Sequence, residues 1–173
     1  MLRMRTQKES DRQFLLDILQ RENHSHPLFC QSDTPEDAVV HLLNDRDKGA
    51  LIFEDDSSGK QVGVVIFRYR NLAEQYDNEV FNQLDADLFT PNGAFVEVVL
   101  LWIQPDYRQL GLGSDLLRNL ERQAKRRNIH LLYMQTEGTN IPGKRFLRKL
   151  KFNEVRQGPI WDDTVRVSVI KKI

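Results

Sequence analysis

The chain has 173 residues, with 25 Lys and Arg against 25 Asp and Glu, 40% hydrophobic residues and a single cysteine. That length builds one domain with a real core, and the composition lacks the weak hydrophobicity and one-signed charge of disordered segments. A net charge of zero removes the general argument for a nucleic-acid binder, which needs a cationic excess for phosphates. Cys30 has no second cysteine to pair with, so a disulfide framework and a cysteine-based zinc site are both excluded.

The N-terminus runs directly into charged residues without a signal-peptide core, and no apolar run approaches the roughly 18 to 20 residues that span a bilayer. A soluble, cytoplasmic protein is expected, with residues 1–173 as one domain. Leu2 to Arg5 reads as an opening strand. Ser10-Asp11-Arg12-Gln13 reads as a capping box for a helix carrying Phe14, Leu15, Ile18 and Leu19. Thr34 and Pro35 announce a second helix, as cap and first helical residue.

Strands at Ala50 to Glu54 and Gln61 to Arg70 flank the turn-rich Asp55 to Lys60. Glu74 to Leu84 could form a helical turn or two, and Thr90 to Gly93 is a turn. Ala94 to Ile103, apolar except for Glu97, reads as a buried central strand. Gly111-Leu112-Gly113 opens a helix that Asn128 ends, followed by a strand over 129–136, a helix over 140–150 and a strand over 151–155. Val165, Val167 and Val169 alternate with polar residues in a last, half-buried strand. The order predicts a mixed α/β layer architecture with about seven strands and about four helices.

Arg108-Gln109-Leu110-Gly111-Leu112-Gly113-Ser114 joins the buried strand to the long helix. Glycines there let the backbone approach a ligand, and the free N–H groups of the first helical turn suit a phosphate or pyrophosphate. A merely tight turn is the ordinary alternative. A dinucleotide-binding motif fits worse, because its third small residue falls on Leu116.

The run Val98 to Gly113, with Pro105-Asp106-Tyr107 and Arg108-Gln109-Leu110-Gly111-Leu112-Gly113, resembles the acetyl-coenzyme-A-binding motif of the GNAT superfamily of N-acetyltransferases. Thr139 to Phe152 is similar to the family's next motif, an Asn-led helix ending in Leu-Gly-Phe. The resemblance implies a GNAT-like fold, a central mixed, mostly antiparallel sheet flanked by helices. It implies that Arg108, Gln109, Leu110, Gly111, Leu112, Gly113 and Ser114 bind coenzyme A, the backbone amides from Gln109 to Ser114 cradling its pyrophosphate. Leu101 and Ile103 would pair with the pantetheine arm, and Asn140 would reach it from the next helix. Acetyl-CoA is then the acyl-donor cosubstrate, with no metal.

Three departures stand out. The family's frequent tyrosine, proposed to protonate the departing thiolate, falls on Leu147, so that role passes to water or to another tyrosine such as Tyr133. Gly143 replaces the usual Ala, and Lys151 the usual Gly.

The acceptor amine must lose a proton to attack a thioester, so a base is needed. Glu97 lies where the histone-acetylating branch of the superfamily carries a catalytic glutamate, and its apolar strand should raise its pKa. The alternatives are a solvated carboxylate or one paired with an arginine.

Residues 105 to 151 carry eleven Lys or Arg against four acids, and residues 71 to 97 carry six acids and no Lys or Arg. The basic segment suits an anionic cofactor, with Lys144, Arg145 and Lys149 as candidate phosphate contacts, and the acidic one a cationic acceptor. The resemblance implies that His24, His26 and Phe29 lie in the region that lines the acceptor pocket, and His24 with His26 lacks a third metal ligand in view.

The expected function is transfer of acetyl from acetyl-CoA to a primary amine, a small molecule or a peptide, by direct transfer in a ternary complex. The alternative is a non-catalytic acyl-coenzyme-A sensor. No membrane partner is expected, nucleic acid is disfavoured, and a homodimer is an option the relatives suggest.

Overall fold

The strand and helix signals resolve into seven strands and, among the described residues, four α-helices. The computed structural model describes residues 1–22, 34–71, 93–160 and 165–173. The readings made for His24, His26, Phe29, Cys30, the 74–84 segment and most of the 90–93 turn lie outside them.

In chain order the elements are β1 (Leu2–Thr6), α1 (Arg12–Glu22), α2 (Pro35–Asn44), β2 (Lys48–Asp55), β3 (Lys60–Asn71) and β4 (Ala94–Ile103). Then follow α3 (Leu112–Arg126), β5 (Leu131–Glu137), α4 (Ile141–Lys149), β6 (Asn153–Ile160) and β7 (Val165–Lys172). The sheet order is β1-β2-β3-β4-β5-β7-β6. β1/β2, β2/β3, β5/β7 and β6/β7 pair antiparallel, whereas β4 and β5 pair in parallel through Val96↔Leu132, Glu97↔Tyr133 and Val98↔Met134. The parallel pair follows from the helix between them, since only a crossover can return the chain in the same direction.

The chain divides into two compact units, residues 1–68 with 99–118, and residues 69–98 with 119–173. In the first, Leu15, Ile18 and Leu19 of α1 and Ala38, Val39 and Leu42 of α2 form a core with Ala50, Ile52, Val64, Ile66, Val99 and Leu100. Each large side chain buried there contributes about 1.5–3 kcal/mol. In the second, Phe95 meets Tyr133 edge-on at 6.2 Å, with Leu131, Leu132, Leu147 and Phe152 also buried.

Local signals explain most boundaries. Thr34 accepts the Asp37 N–H at 3.2 Å, and Pro35 occupies the first turn of α2. Asp55 holds the β2–β3 turn through the Ser57 N–H at 3.1 Å, and Gly59 takes φ +67. α3 ends in a Schellman motif: Asn128 is left-handed at φ 58, its N–H bonds Lys125 O, and the Ile129 N–H bonds Ala124 O.

Two expectations are corrected. The box at Ser10 is not formed: Asp11, in a 3-10 turn over Glu9–Asp11, reaches back to the Lys8 N–H at 2.7 Å, while Gln13 donates to Asp17. The in–out alternation expected of β7 is absent over 167–170, where Val167, Ser168, Val169 and Ile170 are all buried between β5 and β6. The Ser168 hydroxyl tolerates this because the Tyr133 hydroxyl lies at 3.0 Å.

Candidate active site

The loop between β4 and α3 is built by backbone geometry. Pro105–Tyr107 forms a 3-10 turn, after which Gln109 and Gly111 take left-handed φ values of 63 and 84. Glycine adopts that conformation freely, whereas Gln109 bears about 1 kcal/mol of strain. Gly111 O accepts the first α3 bond, from the Asp115 N–H at 3.0 Å, which makes Gly111 the N-cap. Among the described residues, no N–H from Gln109 to Ser114 donates to an acceptor in the chain. Gln109, Leu110 and Gly111 are exposed, with Leu110 64% accessible. Six adjacent donors beside the positive end of a helix form a ready-made anion cradle.

β4 approaches this loop with a defined edge. The Gln104 N–H donates to Val62 O on β3 at 2.8 Å, so by strand alternation the N–H groups of Leu101 and Ile103 point away from β3. Arg108 Nε donates to Ile103 O at 3.0 Å, which ties the loop back to that edge. Gly63 on β3 lies under Ile103: a Cβ there would stand 2.7 Å from Ile103 Cδ1. The sequence reading passed over Gly63, although a glycine inside an apolar strand signals close approach.

The second unit holds Glu97. It is 6% exposed, and Arg70 Nη1 of β3 donates to its Oε2 at 2.8 Å. The pairing with an arginine, one of the alternatives from sequence, is therefore present, and Arg70 is the residue the sequence could not name. Tyr133, beside Glu97 on β5, is fully buried against Ser168. Burial pushes its phenol far above the usual range, and the Glu97 charge adds to this. The Tyr133 phenol is thus enclosed and faces the Ser168 hydroxyl.

The decisive comparison is with the model of the acetyltransferase (GNAT) family, which matches residues 12–152. The chain belongs to the GNAT acetyltransferase family. No curated protein matches the sequence. Among solved structures, Arabidopsis thaliana NAA60 in complex with acetyl-CoA is similar at a TM-score of 0.79 and 16% identity, over 100% of this chain and 99% of that one. The ribosomal-protein-S18-alanine N-acetyltransferase of Escherichia coli is similar at 0.69 and 15%, over 100% and 94%. So is Salmonella typhimurium yncA, solved with acetyl-CoA, at 0.67 and 16%, over 99% and 94%. At such identities the likeness shows the fold, and the seven-strand mixed sheet is the GNAT fold.

Within this GNAT chain the α4 motif has a structural explanation. Asn140 caps α4, its Oδ1 accepting the Gly143 N–H at 3.0 Å. A Cβ at Gly143 would stand 2.5 Å from Asn140 Nδ2, so glycine in place of the family's Ala makes room for this cap. At the other end the Lys151 N–H bonds Arg148 O and the Phe152 N–H bonds Leu147 O, a second Schellman motif. Leu147 and Phe152 are both 3% exposed, so the position of the frequent tyrosine is a core aliphatic here. Lys151 sits at φ 68, where the family's glycine would be unstrained.

Among the described residues no group of three or more His, Cys, Asp or Glu could hold a metal ion, and no helix is long and apolar enough to cross a membrane.

Proposed function

We propose that the protein transfers acetyl from acetyl-CoA to a primary amine by direct attack in a ternary complex, with residues 1–173 acting as one catalytic domain. The row of N–H donors from Gln109 to Ser114, without acceptors among the described residues, carries this reading. It offers a diphosphate hydrogen bonds and helix-dipole stabilisation without desolvating any side-chain charge. Arg108 supports the row from below, and the outward N–H groups of Leu101 and Ile103 suit the amide-bearing pantetheine arm. Asn140 retains its Nδ2 for the same arm.

Glu97 is the proposed base, directly or through water, and water protonates the leaving thiolate. The acceptor is an amine of a peptide or small molecule, and the acidic 71–97 segment favours a cationic one. Similar structures were solved with acetyl-CoA and with a bisubstrate analogue. The test is thiol release from acetyl-CoA across a panel of amines, with acetylated product identified by mass. Acceptor-dependent release is expected.

Leu147 and the enclosed Tyr133 favour one second reading, an acyl-coenzyme-A sensor without turnover. Tight acetyl-CoA binding with no release from any amine would select it.

A further inference from the structure

Within the second unit, the C-terminal ends of α3 and α4 come to the same end of strands β5, β7 and β6. α3 leads through Asn128 into β5, whose first residue, Leu131, pairs with Lys172 of β7. α4 leads through Lys151 into β6, whose first residue, Asn153, pairs with Ile170 of β7. Lys171 ties the two helix ends together, donating to Glu121 of α3 and lying 6.0 Å from the centre of the Phe152 ring. Arg122, Lys125 and Arg126 share one face of α3 here, with Lys151 after α4 and Lys172 on β7. All five are exposed, and among the described residues none of them makes an ion pair. Of the acids at this end, Glu121 already receives Lys171, and Glu154 receives Lys144 at 3.2 Å.

Cations in the last turn of a helix offset its dipole, which accounts for Lys125 and Arg126. It does not account for Arg122, a turn earlier, or for Lys172, on a strand. Residues 119–173 carry thirteen Lys or Arg against five acids, so the zero net charge of the chain is a cancellation that this segment does not share. Unpaired like charges at one end of a unit repel one another and concentrate a field that attracts a polyanion. Among the described residues the large hydrophobic side chains left exposed are Met1, Val40, Leu110 and Ile141, none of them at this end. An anionic bilayer is gripped through an inserted apolar face, a protein partner through buried apolar anchors and a single nucleic-acid strand through aromatic stacking. This surface offers charge alone. Double-stranded RNA is the polyanion it suits, because the RNA major groove is too narrow for side chains and recognition falls on the backbone.

We propose that this end of the second unit is a docking surface for double-stranded RNA, held through phosphates and without sequence preference. The proposal is independent of the acetyl-transfer reading. α3 has fifteen residues, a length of about 20 Å, with the anion cradle before its first turn and these cations at its last. Cofactor and RNA would therefore meet opposite ends of one helix.

The test is anisotropy of a labelled RNA hairpin of about 16 base pairs, titrated with the whole chain across a salt series. The affinity should fall with salt at a log–log slope of about −4, from roughly 0.7–0.9 for each phosphate neutralised. Arg122→Gln combined with Lys125→Gln and Arg126→Gln should flatten that slope by about three and weaken binding by about 10-fold or more, with acetyl-CoA affinity unchanged. A charge-matched variant of exposed cations in the first unit, Arg21→Gln with Arg46→Gln and Lys60→Gln, should bind RNA as the unmodified protein does. Saturating acetyl-CoA should leave the RNA bound.

Absence of salt-dependent binding overturns the proposal. Displacement by acetyl-CoA also overturns it, since the RNA would then occupy the cofactor cradle, and an equal loss in the charge-matched variant would make net charge the cause. A DNA duplex bound as tightly, or phosphatidylserine vesicles or polyglutamate bound more tightly, removes RNA as the partner. If the α3 variant does not fold, Lys151→Gln with Lys172→Gln, outside the helices, takes its place with an expected change in slope of about two.

Discussion

Asp11 and Glu97 are both buried carboxylates facing an arginine, one in each compact unit, yet their surroundings differ in kind. Asp11 is wholly enclosed and receives Arg5 through both guanidinium nitrogens at 2.7 and 2.8 Å, the Lys8 N–H at 2.7 Å and Gln61 Nε2 at 3.1 Å. Arg5 is held in turn by Glu54, which Arg3 also contacts. Glu97 stands mid-strand on β4, against Arg70. A buried ion pair is therefore no signature of catalysis in itself. Asp11 closes a turn, whereas Glu97 is carried by the strand that runs on into the anion-cradling loop.

The largest expected effect separates the two by activity. Glu97→Gln should lower kcat by about 10²- to 10⁴-fold near pH 7, the range of a positioned general base, with partial rescue at higher pH as more acceptor becomes neutral. Acetyl-CoA affinity, measured by calorimetry, should be retained. Undiminished turnover would remove Glu97 from the mechanism and reduce it to a structural ion pair like Asp11.

Asp11→Ala should behave oppositely. Removing one partner of a buried network leaves Arg5 partly uncompensated, and a loss of about 3 kcal/mol is expected in urea unfolding, with kcat per folded molecule unchanged. The pH dependence follows the same logic. Burial alone would raise the Asp11 carboxyl, but hydrogen bonds from Arg5, Lys8 and Gln61 outweigh it and hold the group below its ordinary range. Its folded value thus lies under its unfolded value of about 3.9, so the stabilisation is complete above that value and is lost as pH falls toward the folded one. The wild-type advantage over Asp11→Ala should shrink as pH falls below about 4. An advantage that persists unchanged would place the stabilisation in packing instead of charge.

The comparison also shows what a sequence can carry. The cradle was legible because its parts are contiguous: two glycines, a strand before them and a helix after. The α2 cap and the Asn128 stop were legible for the same reason, being decided within a few residues. Asp11 was misread, with Ser10 taken as the cap, because the partners that fix it include Gln61, 50 positions away. Arg70 could not be named from sequence, since it meets Glu97 across 27 residues. The partner of the Tyr133 hydroxyl, Ser168, was out of local reach too, 35 residues on.

The smallest effect supplies a reference from Glu97's own unit, where strain acts without any buried charge. Lys151 closes the Schellman motif of α4 at φ 68, a conformation that costs a side-chain-bearing residue about 1–2 kcal/mol. Lys151→Gly removes that strain but returns about 0.5–1 kcal/mol through the greater freedom of glycine in the unfolded chain. A net stabilisation of about 0.5 kcal/mol is expected, read as a higher urea midpoint at unchanged slope. Because Lys151 is exposed and, among the described residues, bonds only through its own backbone groups, kcat and the pH profile should not move. If they did, turnover would be responding to the stability of this unit in general, and the contrast between Glu97 and Asp11 would have to be drawn from pH profiles alone.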